Sequence, residues 1–130
     1  MSGTRTSSGG AGNPVEPLQI EMVDLGSTVV VKASGMAAVE VVGQLSRALQ
    51  EAAGKKPALL ALDITGLSFI SSTGLGGIVA AHVTCQKNNT AMALINPKPF
   101  IREILNLTKL SSLFDIFDSV ADAEQHLHVG

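Results

Sequence analysis

The sequence predicts a single α/β domain in which about four helices flank a mixed, mostly parallel sheet of about five strands. First, short apolar segments alternate with segments of helical periodicity, which implies crossover connections and parallel pairing. Second, residues 59–62 form a continuous apolar run, as expected of a strand that is covered on both faces. Third, residues 18–23 and 28–33 flank the turn-forming residues 24–27, which predicts an opening antiparallel hairpin.

The first helix is expected from about Ala38, after Ser34-Gly35 ends the second strand. One side of this helix carries mostly apolar residues at helical spacing. They are Val39, Val42, Leu45, Ser46, Leu49 and Ala53. Gly54, a pair of lysines and Pro57 then end the helix in the order that helix C-termini favour.

The middle of the chain follows the same two periodicities. The central strand is predicted at residues 58–64, and the next helix runs from Gly74 to about Asn88. A buried strand at residues 91–95 precedes a third helix that begins at Pro99, since proline suits the first turn. That helix carries mostly apolar residues at helical spacing: Phe100, Ile101, Ile104, Leu105 and Thr108.

The C-terminal elements are short. Residues 110–114 are predicted as a connector, and Ile116 and Phe117 as the last strand. Ser119 is expected to cap a final helix with Asp122 in its first turn. The inward-facing residues of that helix are Val120, Ala123 and Leu127.

Composition separates a tail from a domain. Residues 1–17 are rich in Ser, Gly, Thr, Asn and Pro and contain one valine, so they are predicted as a disordered tail that precedes a domain at residues 18–130. The whole chain of 130 residues is 45% hydrophobic and 15% charged, which is enough apolar material for a core. Trp and Tyr are absent and there are four Phe, so that core must be mostly aliphatic.

Charge and cysteine content narrow the class of protein. A net charge of −2 and the scarcity of aromatic residues disfavour nucleic-acid binding. Cys85 is the only cysteine, which excludes an intrachain disulfide and gives no sign of an oxidising compartment. No N-terminal apolar run resembles a signal peptide, and no segment approaches the roughly 20 apolar residues of a membrane span. We therefore expect a cytoplasmic protein without direct membrane insertion.

The segment after the central strand is the most informative part of the chain. Ser71, Ser72 and Thr73 are consecutive hydroxyl residues, and the glycine-rich residues 74–77 lead from them into a helix. Hydroxyl oxygens accept hydrogen bonds from the first N–H groups of a helix, and the same N–H groups favour an anion. Two interpretations stay open: Ser72 or Thr73 is only a helix cap, or one of these hydroxyls carries a phosphate.

Signals of an enzyme are weak. His82 and Cys85 are spaced to share one side of a helix, and His126 and His128 lie near the chain end, but a metal site needs a larger cluster. A nucleophile elbow and a phosphate-binding Gly-Lys-Ser/Thr loop are both absent. Asp63, at the end of the predicted central strand, is either a site carboxylate or a partner of the adjacent loop. We expect neither catalysis nor a bound metal or cofactor.

Together with the element order, residues 69–76 (Phe-Ile-Ser-Ser-Thr-Gly-Leu-Gly) resemble the STAS domain of bacterial anti-sigma-factor antagonists. The resemblance covers roughly residues 18–128, nearly everything beyond the predicted tail. Further similarities lie in the C-terminal half, at Asn96-Pro97 and at residues 104–110, 113–114 and 118–123.

The resemblance implies a protein-binding module that binds an anti-sigma factor or a kinase-like regulatory protein and is switched off by phosphorylation. Aligned to this sequence, the family pattern gives Thr73 as the phosphate acceptor and Ser72 as the second choice. The implied partner-binding surface consists of Ser71, Ser72, Thr73, Gly74, Leu75, Gly76, Gly35 and Met36. A homodimer or a larger assembly is left open.

Three positions depart from the family pattern. Ser71 stands where an Asp is usual beside the acceptor, and residues 35–38 lack an acidic residue that is common in the partner contact. Lys109 replaces a usual Gly, which strains the turn if φ is positive there. These differences keep a second interpretation open, in which the chain is an unphosphorylated scaffold subunit of a larger regulatory or transporter complex.

Overall fold

A computed structural model describes residues 17–39 and 41–129 of the chain. Apart from Pro17, the predicted tail lies outside the described residues, as does the side chain of Val42. A short 3₁₀ turn (Leu110–Ser112) precedes the last strand. The main elements, in chain order, are β1 (Gln19–Asp24), β2 (Thr28–Ala37), α1 (Val42–Gly54), β3 (Leu59–Ile70), α2 (Ser72–Lys87), β4 (Ala91–Ile95), α3 (Pro99–Leu107), β5 (Asp115–Phe117) and α4 (Val120–His126).

The strands form one sheet in the order β1-β2-β3-β4-β5. β1 is antiparallel to β2, and each later pair is parallel. The predicted element order, the opening hairpin and the mixed, mostly parallel sheet are therefore confirmed. Parallel neighbours place the carboxyl ends of β2, β3 and β4 at one edge of the sheet, where α2 and α3 begin.

β2 and β3 are longer than the sequence predicts. Ser34-Gly35, predicted to end the second strand, lies inside β2, and β3 continues past residue 64, its predicted end, through Gly66, so both predicted strand ends are wrong. The pairing shifts register between Lys32 and Ser34, and Gly35 has a φ of 85°. An ideal Cβ at Gly66 would lie only 2.8 Å from the Cβ of its partner Ser34. Both glycines thus permit a bulged, close strand pairing, which continues the sheet beyond the predicted strand ends.

Two helix starts also differ from the prediction. α1 begins at Val42 rather than Ala38, because β2 extends to Ala37 and a turn with a hydrogen bond from Val41 N–H to Ala38 O follows it. α2 begins at Ser72 rather than Gly74, so the glycine-rich segment is helical.

The C-terminal elements follow the prediction more closely. The third helix begins at Pro99 as predicted. Ser119 caps α4 by accepting a hydrogen bond from the Asp122 N–H at 3.0 Å, which is confirmed as well. Lys109 has a φ of 66°, so the condition under which this replacement of a Gly strains the turn, a positive φ, is met. A side chain in that region is disfavoured by about 1–2 kcal/mol relative to a right-handed residue.

The core lies on both faces of the sheet and is mainly aliphatic, as predicted. On one face, Leu60, Leu62 and Ile64 of β3 pack in the larger apolar cluster with residues of α1, α2 and α3. On the other face, Leu59 and Ala61 pack with α4. β3 is therefore covered on both faces near its start, which explains its continuous apolar run. Among the described residues, no helix combines the length and the hydropathy that a membrane crossing requires.

Replacing Gly66 by Ala should lower the free energy of unfolding by about 1–3 kcal/mol, because the new Cβ overlaps Ser34 in the paired strand. Urea denaturation of the two proteins measures this change. Gly76→Ala is the matched control, since nothing lies within 4 Å of an added Cβ there and alanine favours a helix by up to about 1 kcal/mol. Equal stability changes at both positions would contradict the close strand pairing.

Because the Cys85 thiol is buried, we expect the free energy of unfolding to depend on pH. Cys85 is fully buried in α2, and burial raises the pKa of its thiol from 9.0 to about 11. Above about pH 9 the unfolded chain releases this proton while the folded chain keeps it, so the stability that the neutral thiol contributes should be lost as the pH rises toward 11. Urea midpoints between these pH values test this, with Cys85→Ala as control. The same slope in both proteins would refute the assignment to Cys85.

Candidate functional site

The candidate site lies where β3 ends and α2 begins, at the carboxyl edge of the sheet. Ser71 is the one residue between these elements. Its N–H donates to the carbonyl of Ala37 at 2.9 Å, which ties the start of α2 to the end of β2. The structure therefore brings the β3–α2 connection next to the end of β2, the strand that contains Gly35 and Met36 of the predicted partner-binding surface.

Ser71 is also the cap of α2. Its backbone is extended, and its Oγ accepts a hydrogen bond from the Gly74 N–H at 3.1 Å. The expectation that Ser72 or Thr73 is the cap is therefore wrong. The reason is the strand length: β3 continues to Ile70, so the first residue after it, Ser71, adopts the extended conformation that a cap needs.

Ser72 and Thr73 occupy the first turn of α2 with exposed side chains. Within the described part of the chain, neither hydroxyl makes a hydrogen bond. No acidic residue lies in this turn, so the partial positive charge of the helix N-terminus is not offset there by a carboxylate of the helix. A hydroxyl that is free, exposed and close to such a terminus can carry a phosphate without disturbing the cap.

The other predicted surface residues differ in accessibility. Gly76 is exposed, whereas Ser71, Leu75 and Met36 are partly buried. Two more, Gly74 and Gly35, are buried and offer no side chain to a partner. Gly35 and Met36 belong to β2, near its end at Ala37, so they lie next to the site on a strand.

A neutral outward face of α2 adds to the site and is missed by the sequence analysis. Gly76, Ala80 and Val83 follow one another at helical spacing and are exposed, Val83 by 43%. Residues 64–86 contain no Asp, Glu, Lys or Arg, and the first such residue in α2 is Lys87. That run of 23 uncharged residues is the signal that could have revealed this face, because exposed helix surfaces usually carry charges.

Asp63 lies inside β3 rather than at its end, which corrects its predicted position. Its Oδ1 accepts hydrogen bonds from the N–H of Thr65 at 3.0 Å and from the Thr65 hydroxyl at 2.6 Å. Of the two interpretations left open for Asp63, local pairing with the residues that follow it is therefore present. It lies outside the β3–α2 connection.

The histidines and the cysteine do not converge. Cys85 is buried, and His82 contacts the ring of Phe114 edge-on at a centroid distance of 5.1 Å. His126 belongs to α4, and the centroid of its ring lies 5.3 Å from that of Phe117. Across residues 17–39 and 41–129, no group of three or more His, Cys, Asp or Glu side chains is arranged to hold a metal ion.

Solved structures with this fold include regulatory proteins. An anti-sigma factor antagonist from Mycobacterium paratuberculosis matches with a TM-score of 0.77 and 21% identity, over 86% of this chain and 95% of that chain. SpoIIAA in its unphosphorylated form matches with a TM-score of 0.71 and 21% identity, over 86% and 96%. The phosphorylated form of the Bacillus protein SpoIIAA matches with a TM-score of 0.65 and 21% identity, over 85% and 99%.

The same fold also occurs inside a larger membrane protein. The murine anion transporter Slc26a9 matches with a TM-score of 0.66 and 16% identity, over 80% of this chain and 18% of the transporter. At these identities the structural matches establish the fold. The family assignment has its own evidence, because the STAS domain family matches residues 19–123. With its strand order, its helix after β3 and this match along most of its length, the chain belongs to the STAS domain family.

Proposed function

We propose that this chain is a non-catalytic regulatory module of the anti-sigma-factor antagonist type. In this proposal it binds a kinase-like anti-sigma factor and is released when Thr73 is phosphorylated, with Ser72 as the second candidate acceptor. The observation that carries the proposal is the free, exposed hydroxyl of Thr73 in the first turn of α2, beside a cap that Ser71 provides. Solved antagonists with the same fold, one of them in a phosphorylated form, support the class of function.

The outward face of α2 supports protein binding. Gly76, Ala80 and Val83 continue from Thr73 along the exposed side of the helix, so a partner that packs on this face also covers the acceptor. Small side chains allow close approach of a partner backbone, and a face without charges can be desolvated at low cost. Phosphate on Thr73 would then lie at the end of the contact surface.

The proposed switch is electrostatic. A phosphate adds roughly −1.5 to −2 charges at neutral pH. A loss of about 3 kcal/mol through repulsion and desolvation weakens binding more than about 100-fold, which is enough for a switch. No rearrangement of α2 is needed, because the cap is on Ser71 and the core side of the helix holds Ile78, Ala81 and Cys85.

Ser71 bears on a second candidate function. In the family pattern an Asp precedes the hydroxyls, whereas here the cap is neutral and the first turn of α2 has no acidic residue. A kinase that reads this carboxylate would not find it. This observation favours, as the alternative, an unphosphorylated STAS scaffold subunit of a larger regulatory or transporter complex.

Binding of purified kinase-like anti-sigma factors from the native host to Thr73 variants tests the proposal. We expect Thr73→Glu to weaken binding by about tenfold or more, because one carboxylate carries less charge than a phosphate. Thr73→Ala should bind like the wild type and lose its response to the kinase and ATP. Isothermal titration calorimetry measures each affinity.

Gln125→Glu is the matched control, since it adds the same charge to an exposed position of α4, on the face of the sheet opposite to α2. It should leave the affinity within about twofold of the wild type, because exposed charges at that distance are screened. Unchanged binding of Thr73→Glu would contradict the switch and favour the scaffold role. Release of Thr73→Ala by kinase and ATP would move the acceptor away from Thr73.

A further inference from the structure

A second candidate site lies on the opposite face of the sheet from α1 and α2. α4 covers only the part of this face near the starts of β2 and β3. There Ala123 is buried, and the Thr28 hydroxyl donates to Glu124 Oε2 at 2.7 Å. Lys32 and Asp63 each lie two residues beyond Val30 and Ala61, which are in contact with the α4 cluster, so they share its face further along the strands. Within the described residues, this part of the face is open.

A cavity of about 330 Å³ occupies this open part. Its polar lining comes from Gln19, Glu21, Lys32, Ser34, Asp63 and Thr65. The depression is fixed by Gly66, which also lines it and cannot carry a Cβ because the Cβ of Ser34 would be 2.8 Å away. The concave shape therefore does not depend on flexible side chains alone.

Charges of alternating sign cross the cavity. Lys32 of β2 is in register with Glu21 of β1 on one side and with Asp63 of β3 on the other. Adjacent strands are about 4.8 Å apart, so a negative, a positive and a negative residue follow one another across the three strands at that spacing. Lys55 and Asp24 form a salt bridge outside the cavity. Lys32 forms no salt bridge within 4.0 Å in the described part of the chain.

The carboxylate of Asp63 is held in place. Its Oδ1 accepts both hydrogen bonds from Thr65, and the Thr65 hydroxyl in turn accepts a long hydrogen bond of 3.4 Å from Asn96 Nδ2. The other carboxylate oxygen makes no hydrogen bond within residues 17–39 and 41–129. The side chain is half-buried, so this oxygen is a preorganised acceptor on the strand next to Lys32, which is in register with Asp63 and has no salt-bridge partner among the described residues.

We propose that this cavity binds a small zwitterion of the α-amino acid class. The ligand's ammonium group is bound by Asp63 and its carboxylate by the Lys32 ammonium, while the hydroxyl of Ser34 offers a further hydrogen bond. A ligand with both charges pairs with Lys32 and Asp63 together, whereas a simple anion or cation pairs with one of them and is repelled by the other; Glu21 lies on the far side of Lys32 from Asp63. A metal ion does not fit, because Lys32 separates the two carboxylates by two strand spacings, about 10 Å.

Titration of the ¹⁵N-labelled full chain with individual common L-amino acids, followed by NMR, tests the proposal. At least one amino acid should shift the amide signals of Lys32, Ser34, Asp63 and Gly66 and saturate at about 10 mM or below. Sodium acetate and methylammonium chloride, which carry one charge each, should not saturate in that range. Absence of a saturable shift with every amino acid would overturn the proposal and leave the charges as a solvated cross-strand ladder.

Variants of the paired charges make the test specific. Lys32→Met and Asp63→Asn should each weaken binding by about tenfold or more, while the amide introduced by Asp63→Asn keeps an oxygen for the Thr65 hydrogen bonds. Lys55→Met and Asp24→Asn are matched controls, because Asp24 accepts a hydrogen bond from Gly26 N–H in a similar local turn and lies outside the cavity. Equal weakening by both sets of variants would also overturn the proposal.

Discussion

Hydrogen bonds of Ser71 determine how the sheet passes into α2, and the candidate site depends on them. Its N–H donates to Ala37 at the end of β2, and its Oγ accepts from Gly74 in the first turn of α2. Because one residue makes both contacts, the hydroxyls of Ser72 and Thr73 are not needed to close the helix end. The chain thus presents free hydroxyls on a fixed part of the fold, which is the arrangement that the proposed charge switch requires.

In the proposed function, partner binding and stability depend on different sides of α2. The inner side holds Ile78 and Cys85 in the main apolar cluster, so the helix is fixed to the sheet by burial. The outer side is small and uncharged at Gly76, Ala80 and Val83, and contributes little to that burial. Changes on the outer side should therefore have little effect on folding, and the proposed partner binding can be tested there separately. The open sheet face with Lys32 and Asp63 is similarly independent of the main core.

Much of the architecture follows from periodicity, because residues 59–62, 91–95 and the helical repeats each have one stable arrangement in a layered α/β domain. Glycines that often end a strand predict the bounds of the strands less well. Gly66 is typical of a strand end, but its missing side chain serves a close pairing with Ser34 that only the tertiary register reveals. The cap of α2 is Ser71 rather than the predicted Ser72 or Thr73 for a similar reason, since the length of β3 decides which residue caps the helix. The absence of Asp, Glu, Lys and Arg from residues 64–86 is a sequence feature that indicates the uncharged outward face of α2.

Phosphopeptide mapping of the protein isolated from its native host, in growing and in stressed cells, tests the central claim most directly. The account predicts phosphate on Thr73 and none on Ser71, because Ser71 is engaged as the cap while Thr73 is exposed and free. Phosphate on Ser71, or no phosphate on either Ser72 or Thr73 in any condition, would contradict it.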